Sequence, residues 1–221
     1  MRVLLALLSC LTLALPAQAE AGAWPRDKGA GFLAVATRLT WPQDITLWTS
    51  LSPTEDYQTL YIEYGLTDRL TLGLDVGRSV SGAGKTVAFL QMPLRDRDRG
   101  PKIAAQMGLG QISGETVLRP GLSLGWGLRN GWLALDGVAE IRATGAADTK
   151  LDITRGWNLP RNFMLILQLQ TGLQQDDPAF ARFAPSLVFP LRKRIKGEFG
   201  GAWGLAGDSS MGLKFGLWAE F

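Results

Sequence analysis

The chain contains no histidine and a single cysteine, Cys10. Without imidazole there is no side chain that ordinarily titrates near neutrality, so the most common general acid–base and zinc ligand are both missing. One thiol cannot close an intramolecular disulfide or build a thiolate cage. Charge is sparse too: Asp, Glu, Lys and Arg make up 19% of the residues and leave a net +3. So mild a balance excludes the electrostatic footprint of a nucleic-acid binder. After residue 19 no apolar run reaches the roughly 18 residues that mark a spanning helix. What the chain holds in quantity is glycine, 27 of 221 residues, and tryptophan, 8.

The chain opens MRVLLALLSCLTLALPAQAE. Arg2 forms a short positive region, Val3 to Leu15 is apolar, and Ala17-Gln18-Ala19 is a small-x-small cleavage site, with Ala17 and Ala19 its small residues. This is the pattern of a secretory signal peptide. It predicts a signal over residues 1–19 and one domain over 20–221. A second cut stays open: Leu7-Leu8-Ser9-Cys10 resembles a lipoprotein box. With the first cut Cys10 leaves with the signal, and stability rests on burial and hydrogen bonding.

Period-two alternation runs through the rest. Met211, Leu213, Phe215, Leu217, Ala219 and Phe221 form one face, and Gly212, Lys214, Gly216, Trp218 and Glu220 the other. That period is a strand's, not a helix's, and its length suits a tilted strand crossing a bilayer, which needs about 9–11 residues. Leu70, Leu72, Leu74 and Val76 alternate in the same way with Thr71, Gly73, Asp75 and Gly77. Leu122, Leu124, Trp126 and Leu128 alternate with Ser123, Gly125 and Gly127. Thr67-Asp68-Arg69, Arg129-Asn130-Gly131, Pro160-Arg161-Asn162 and Arg192-Lys193-Arg194 punctuate the pattern as short turns, and Arg95 to Pro101 is a longer one. Longer loops at 42–54, 81–85, 113–117, 145–149, 175–181 and 205–210 alternate with them.

The expected fold is all-β: an antiparallel up-and-down transmembrane β-barrel of about twelve strands, both termini on the short-turn side. The strands are read at 31–41, 57–66, 70–80, 86–94, 102–112, 118–128, 132–143, 150–159, 163–174, 182–191, 195–204 and 211–221. Three are weak: 86–94, with Pro93; 150–159, whose pattern turns Arg155 toward lipid; and 182–191, with Pro185 and Pro190. Ten strands is the alternative. Closure is required because an unpaired backbone group in lipid costs several kcal/mol. Aromatics near strand ends (Trp41, Tyr57, Trp132, Trp157, Phe163, Phe183, Trp203 and Phe221) suit headgroup girdles. Basic residues in the short turns are read as solvated, with contact to anionic headgroups the sharper reading.

The ending KFGLWAEF resembles the C-terminal signal of bacterial outer-membrane β-barrel proteins, with Lys214, Gly216, Ala219 and Phe221 in the four patterned places and Ala219 a weak apolar member. The resemblance implies location in the bacterial outer membrane after export across the inner membrane, recognition by the barrel assembly machinery, contact with outer-membrane lipid, and a closing strand paired with the first. Glu63 to Gly73 is likewise similar to hairpins of small barrels of this kind. Enzymes among such barrels depend, as families, on a histidine, so no enzyme activity is expected and no catalytic residue is assigned.

No cofactor is expected. Ser81-Gly82-Ala83-Gly84-Lys85-Thr86 lacks the first glycine of a phosphate loop, because residue 79 is Ser. Asp176-Asp177 is too small a set for a calcium cage. The informative charges are those expected to face inward: Arg38, Glu63, Asp75, Asp136, Glu140, Arg142, Asp152, Lys196, Glu198 and Lys214, with Glu220. Such charges must be paired or wet. Wet, they line a pore and set its selectivity; paired across the lumen, they close it. The leading expectation is a narrow passive channel for small polar solutes. A non-conducting structural or partner-binding barrel is the alternative, and a soluble periplasmic ligand-binding barrel a weaker one.

Overall fold

The computed structural model describes residues 22–79, 84–97, 100–174 and 178–221. Ala17, Ala19, Asp176, Asp177 and residues 80–83 lie outside the described residues. Twelve strands run antiparallel and close into one barrel, β1 pairing with β12. They are β1 (Gly31–Pro42), β2 (Glu55–Thr67), β3 (Leu70–Ser79), β4 (Gly84–Arg95), β5 (Lys102–Ile112), β6 (Glu115–Leu128), β7 (Gly131–Arg142), β8 (Ala147–Asn158), β9 (Met164–Leu173), β10 (Phe180–Arg192), β11 (Ile195–Ala206) and β12 (Ser210–Glu220). The ten-strand alternative is thereby excluded.

The two faces are chemically unlike. Leu72, Leu90, Leu109, Leu122, Phe215 and Leu217 are all at least 42% exposed on the outside. Glu63, Arg119, Glu140 and Glu198 are at most 4% exposed on the inside. A soluble barrel needs the reverse, so the outer band is a surface for lipid.

Several strands extend past the apolar alternation at the loop end. β6 begins at Glu115 and β8 at Ala147. Backbone pairing beyond the hydrocarbon layer needs no apolar side chain, so the pattern fades before the ladder does. The β5–β6 connection is a two-residue turn, Ser113 (φ 50°) and Gly114 (φ 84°), the left-handed pair that suits strand twist.

The prolines sit where the ladder already breaks. Pro93 and Pro190 each flank a register shift, and pairing of β10 with β11 lapses at Pro185. Pro120 interrupts β6 against β7 in the same way. Each lost N–H donor falls at a bulge or gap, so the strand continues. Arg155 does point outward, close to the short-turn end. Its guanidinium lies 4.3 Å over the Trp157 ring and donates to the Trp132 and Gly156 carbonyls, so its charge is held at the rim.

Two of the aromatics expected in the girdles are not there. Trp132 is 1% exposed and faces inward, its ring over the space that a side chain at Gly156 would need. Tyr57 lines the internal cavity. Strand parity decides this: both side chains sit on the lumenal face, and closeness to a strand end does not show which face a residue takes. Phe183, Trp203 and Phe221 are exposed outside.

Candidate functional site

The lumen is the site. Its most unexpected feature is the segment before β1. Residues 22–27 lie inside the barrel at the short-turn end. The Gln91 side-chain amide donates to the Gly22 carbonyl (2.6 Å). Ala23 and Trp24 are 1% and 8% exposed and pack with Trp132, Ala134, Met164, Ile166 and Val188 from β7, β9 and β10. On the other side the Arg26 guanidinium bonds Glu63 (2.7 Å) and stacks 4.7 Å over Phe32, while its backbone N–H donates to Thr71 (3.1 Å). The Tyr61 hydroxyl donates to the second Glu63 oxygen (2.6 Å). Gly29 and Ala30 complete the seat with backbone bonds to Gly65.

The segment therefore bridges the bore, apolar toward β7–β10 and polar toward β2–β4. Glycines make room for it. A Cβ on Gly65 would overlap the Asp27 carbonyl, and one on Gly125 would press on Trp24 and Ala23.

Beyond the segment the walls are charged, and most of the charge is paired. Asp75 accepts from both Lys85 and Arg119 (2.7 Å each), and Arg119 also faces the Phe89 ring. Glu198 accepts from Lys214 (2.7 Å) and the Trp218 indole (3.0 Å). Glu140 pairs with Lys150 (2.8 Å), Arg142 with Asp148 (2.6 Å) and Glu115 (3.2 Å), and Lys196 with Glu220 (3.2 Å). Lys85, inside a strand and bound to Asp75, has no phosphate-loop setting.

At the loop end, Arg182 bonds Asp208 (2.6 Å). Burial works to raise the Asp208 carboxyl, but the Ser210 hydrogen bonds and the Arg182 guanidinium outweigh it and hold it below the usual carboxylate range.

Three charges stand apart from these pairs. Arg38 lies directly across from Lys214. Lys214 is neutralised by Glu198, whereas the Arg38 guanidinium has no ion pair or hydrogen bond among the described residues. Asp136 lies directly across from Asp152 on β7 and β8, in the opposite half of the closed strand order. Asp136 lies against the N-terminal segment, where a Cβ on Gly22 would come within 3.2 Å of its Oδ1, and that oxygen has no hydrogen-bond partner among the described residues. Like charges facing across a ladder destabilise it, and in the first pair Glu198 offsets the Lys214 charge.

A cavity of about 390 Å³ remains, lined from β7–β12 and β1–β4. Arg38, Asp75, Asp136, Glu198 and Lys214 line it, with Lys85, Arg182, Gln168 and Gln170. Glu63 is taken up by Arg26, and Glu140, Arg142 and Lys196 by the pairs above. Among the described residues no group of three or more potential metal ligands occurs. Sequence reasoning missed Ala23, Trp24 and Arg26 because a short irregular stretch carries no periodicity. It also missed Lys85, read as part of the loop 81–85, and Lys150 and Arg119, at the very start of the strands read at 150–159 and 118–128.

No family model and no curated protein matches the chain in sequence. Solved structures match in fold. The NanC porin aligns with a TM-score of 0.66 at 12% identity, over 84% of this chain and 98% of that one. The KdgM porin in complex with disordered oligogalacturonate aligns at 0.64 and 12%, over 85% and 99%. The COG4313 outer membrane channel from Pseudomonas putida F1 aligns at 0.61 and 13%, over 92% and 100%. The chain has the fold of bacterial outer-membrane β-barrels.

Proposed function

We propose that this protein is a narrow, passive channel of the bacterial outer membrane for small polar solutes, restricted at its short-turn end by residues 22–27. The observation that carries the reading is the lumen itself, a charged cavity of about 390 Å³ in a barrel whose outer band is apolar. Charges in a dry interior without a close partner would cost several kcal/mol each, and Arg38 and Asp152, opposite charges that act on one another without forming an ion pair, favour a wet lumen. The fold shared with porins supports the same reading.

Single-channel recording of the whole protein in a planar bilayer tests it. Small discrete steps are expected, with ion selectivity shifted toward cations by Arg38→Gln. A folded, inserted barrel without steps would favour the non-conducting reading instead, in which residues 22–27 and the ion pairs seal the bore.

Assembly is read from the last strand. Phe221 exchanges backbone bonds with Gly31 (2.7 and 3.0 Å), and its ring covers the face of that glycine. We propose Lys214, Gly216, Ala219 and Phe221 as the assembly signal. Deleting Phe221 is expected to lower the outer-membrane level of the protein severalfold while leaving its synthesis unchanged, as read by fractionation and heat-modifiable gel mobility. Unchanged levels would remove the role.

A further inference from the structure

The apolar outside of the barrel does not end with the strands. At the loop end Phe183, Trp203, Met211 and Trp41 lie in one row across β10, β11, β12 and β1. By strand parity all four face outward, as Phe215 and Leu217 do. The chain then leaves β1 and returns to β2 through residues 43–54. That connection holds the three most exposed large apolar side chains among the described residues: Leu51 at 82%, Ile45 at 69% and Leu47 at 64%. It is folded against the outside of the wall. The Trp48 ring stacks on Trp41 with centroids 6.2 Å apart, and the Trp41 indole N–H donates to the Leu51 carbonyl (3.1 Å). No residue of 43–54 lines the lumenal cavity.

The polar groups of this connection are largely satisfied from within. The Asp44 carboxylate accepts from the Thr46 N–H (2.9 Å) and hydroxyl (2.6 Å). The Leu47 and Trp48 N–H groups donate to the Asp44 and Ile45 carbonyls, and the Trp48 indole N–H to the Pro42 carbonyl (2.9 Å). Asp44 is the only charged residue between 43 and 54. A polar group that leaves water without a partner is costly, and the turn has met much of that demand itself. What it leaves outside is apolar. An exposed apolar patch of this kind marks an interaction surface.

We infer that the β1–β2 connection is a lipid-binding flap, with Ile45, Leu47 and Leu51 inserted into the bilayer at the headgroup boundary beside Trp41. The occupant is lipid because the patch continues the lipid-facing row, and because indoles such as the Trp41–Trp48 pair settle at headgroup level. An amphipathic segment at that level sinks its apolar face roughly 5–10 Å into the boundary. On the next strands the outward face near the loop end is polar, with Gln58, Arg78 and Thr86 exposed. The flap therefore fastens one side of the mouth. This goes beyond the channel reading and does not depend on it, since a conducting and a closed barrel can be anchored alike.

The test places a fluorophore on the flap. Leu47→Cys and Leu51→Cys are labelled with an NBD maleimide in the whole protein. Thr144→Cys, in the exposed β7–β8 connection, is the water control, and the unaltered protein corrects for Cys10. Each barrel, selected as folded by heat-modifiable gel mobility, is placed in phosphatidylcholine vesicles with and without bromine on the acyl chains. Quenching by brominated lipid at 47 and 51 is expected to exceed that at 144 by at least about twofold, as insertion to the acyl boundary requires. Iodide on both sides of the bilayer should quench in the reverse order. Ile45→Asp puts a charge on the inserted face and should reduce lipid quenching at 51. Labels at 47 and 51 as open to iodide as the label at 144 would overturn the inference. Labels shielded from both quenchers would overturn it too, and would assign the loop to a second copy of the chain. Either labelled position decides the matter where the other variant does not fold.

Discussion

Removing Gly22–Asp27 in frame is expected to raise single-channel conductance severalfold. The segment lies across the bore at the short-turn end, and Trp24 is its largest side chain, 8% exposed among inward residues of β7, β9 and β10. Ion flow through a pore is limited by its narrowest section, so clearing that section changes the whole conductance. The barrel should survive the deletion, since the β1–β12 closure and every hairpin are made by residues from 31 onward.

The deletion leaves a cavity lined by Glu63 and Thr71 on one side and Trp132 and Met164 on the other. Water fills the polar side, and the apolar side loses its contacts with Trp24. A modest loss of thermal stability should accompany the gain in conductance. Gly65→Ala is the milder variant. The three atoms nearest its new methyl belong to Asp27 and Arg26, so it presses first on the segment. Frequent flickering to a higher conductance level is the expected signature. Two variants that both conduct like the unaltered protein would show that the segment does not limit the pore.

Replacing Asp75 by alanine should produce the largest loss of stability among the lumenal charges. Asp75 Oδ2 holds two cations at once, Lys85 and Arg119, each at 2.7 Å. The Arg119 side chain is only 5% exposed, and its Nε already lacks a partner among the described residues. Taking away the carboxylate strands two positive charges against β3–β6. Breaking a buried pair of this kind costs about 3–5 kcal/mol, whereas replacing all partners by neutral groups is often close to neutral. Asp75→Ala is therefore expected to lower the urea midpoint clearly, as read by gel mobility and tryptophan fluorescence. Asp75→Asn combined with Lys85→Gln and Arg119→Gln should recover most of the loss. A triple variant as unstable as Asp75→Ala would show that packing around Phe89, and not charge balance, sets the stability of this wall. The same comparison in a bilayer reports on the pore, since an unpaired Arg119 adds positive charge to the lumen and should favour anions.

The architecture was legible in the sequence because a barrel wall is a local object. Each strand shows its two faces every second residue, whatever its partners do, and each short turn carries its own chemistry. Thus Leu70 to Gly77 reads as a strand without knowledge of β2 or β4. The direction of Lys214 and Glu198 follows from the same parity. Two failures came from that rule's limits. Tyr57 and Trp132 lie near strand ends, which says how deep a residue sits but not which face it takes. β6 and β8 outrun their apolar pattern because hydrogen bonding continues past the lipid.

The lumen was decided by the tertiary structure alone. Which cation meets Asp75, why Lys214 is neutralised and Arg38 is not, and that Asp136 faces Asp152 all depend on register and on closure across twelve strands. Sequence spacing carries no record of these distances. The stretch from Gly22 to Asp27 has no period at all, because its place is fixed by surroundings: a glycine at 65, another at 125, a carboxylate at 63 and an apolar wall opposite. Alternation dictated a barrel with one face for lipid and one for water. Only the folded chain, by bringing distant side chains within hydrogen-bonding reach, determined how much of that inner space is left open and which charges line it.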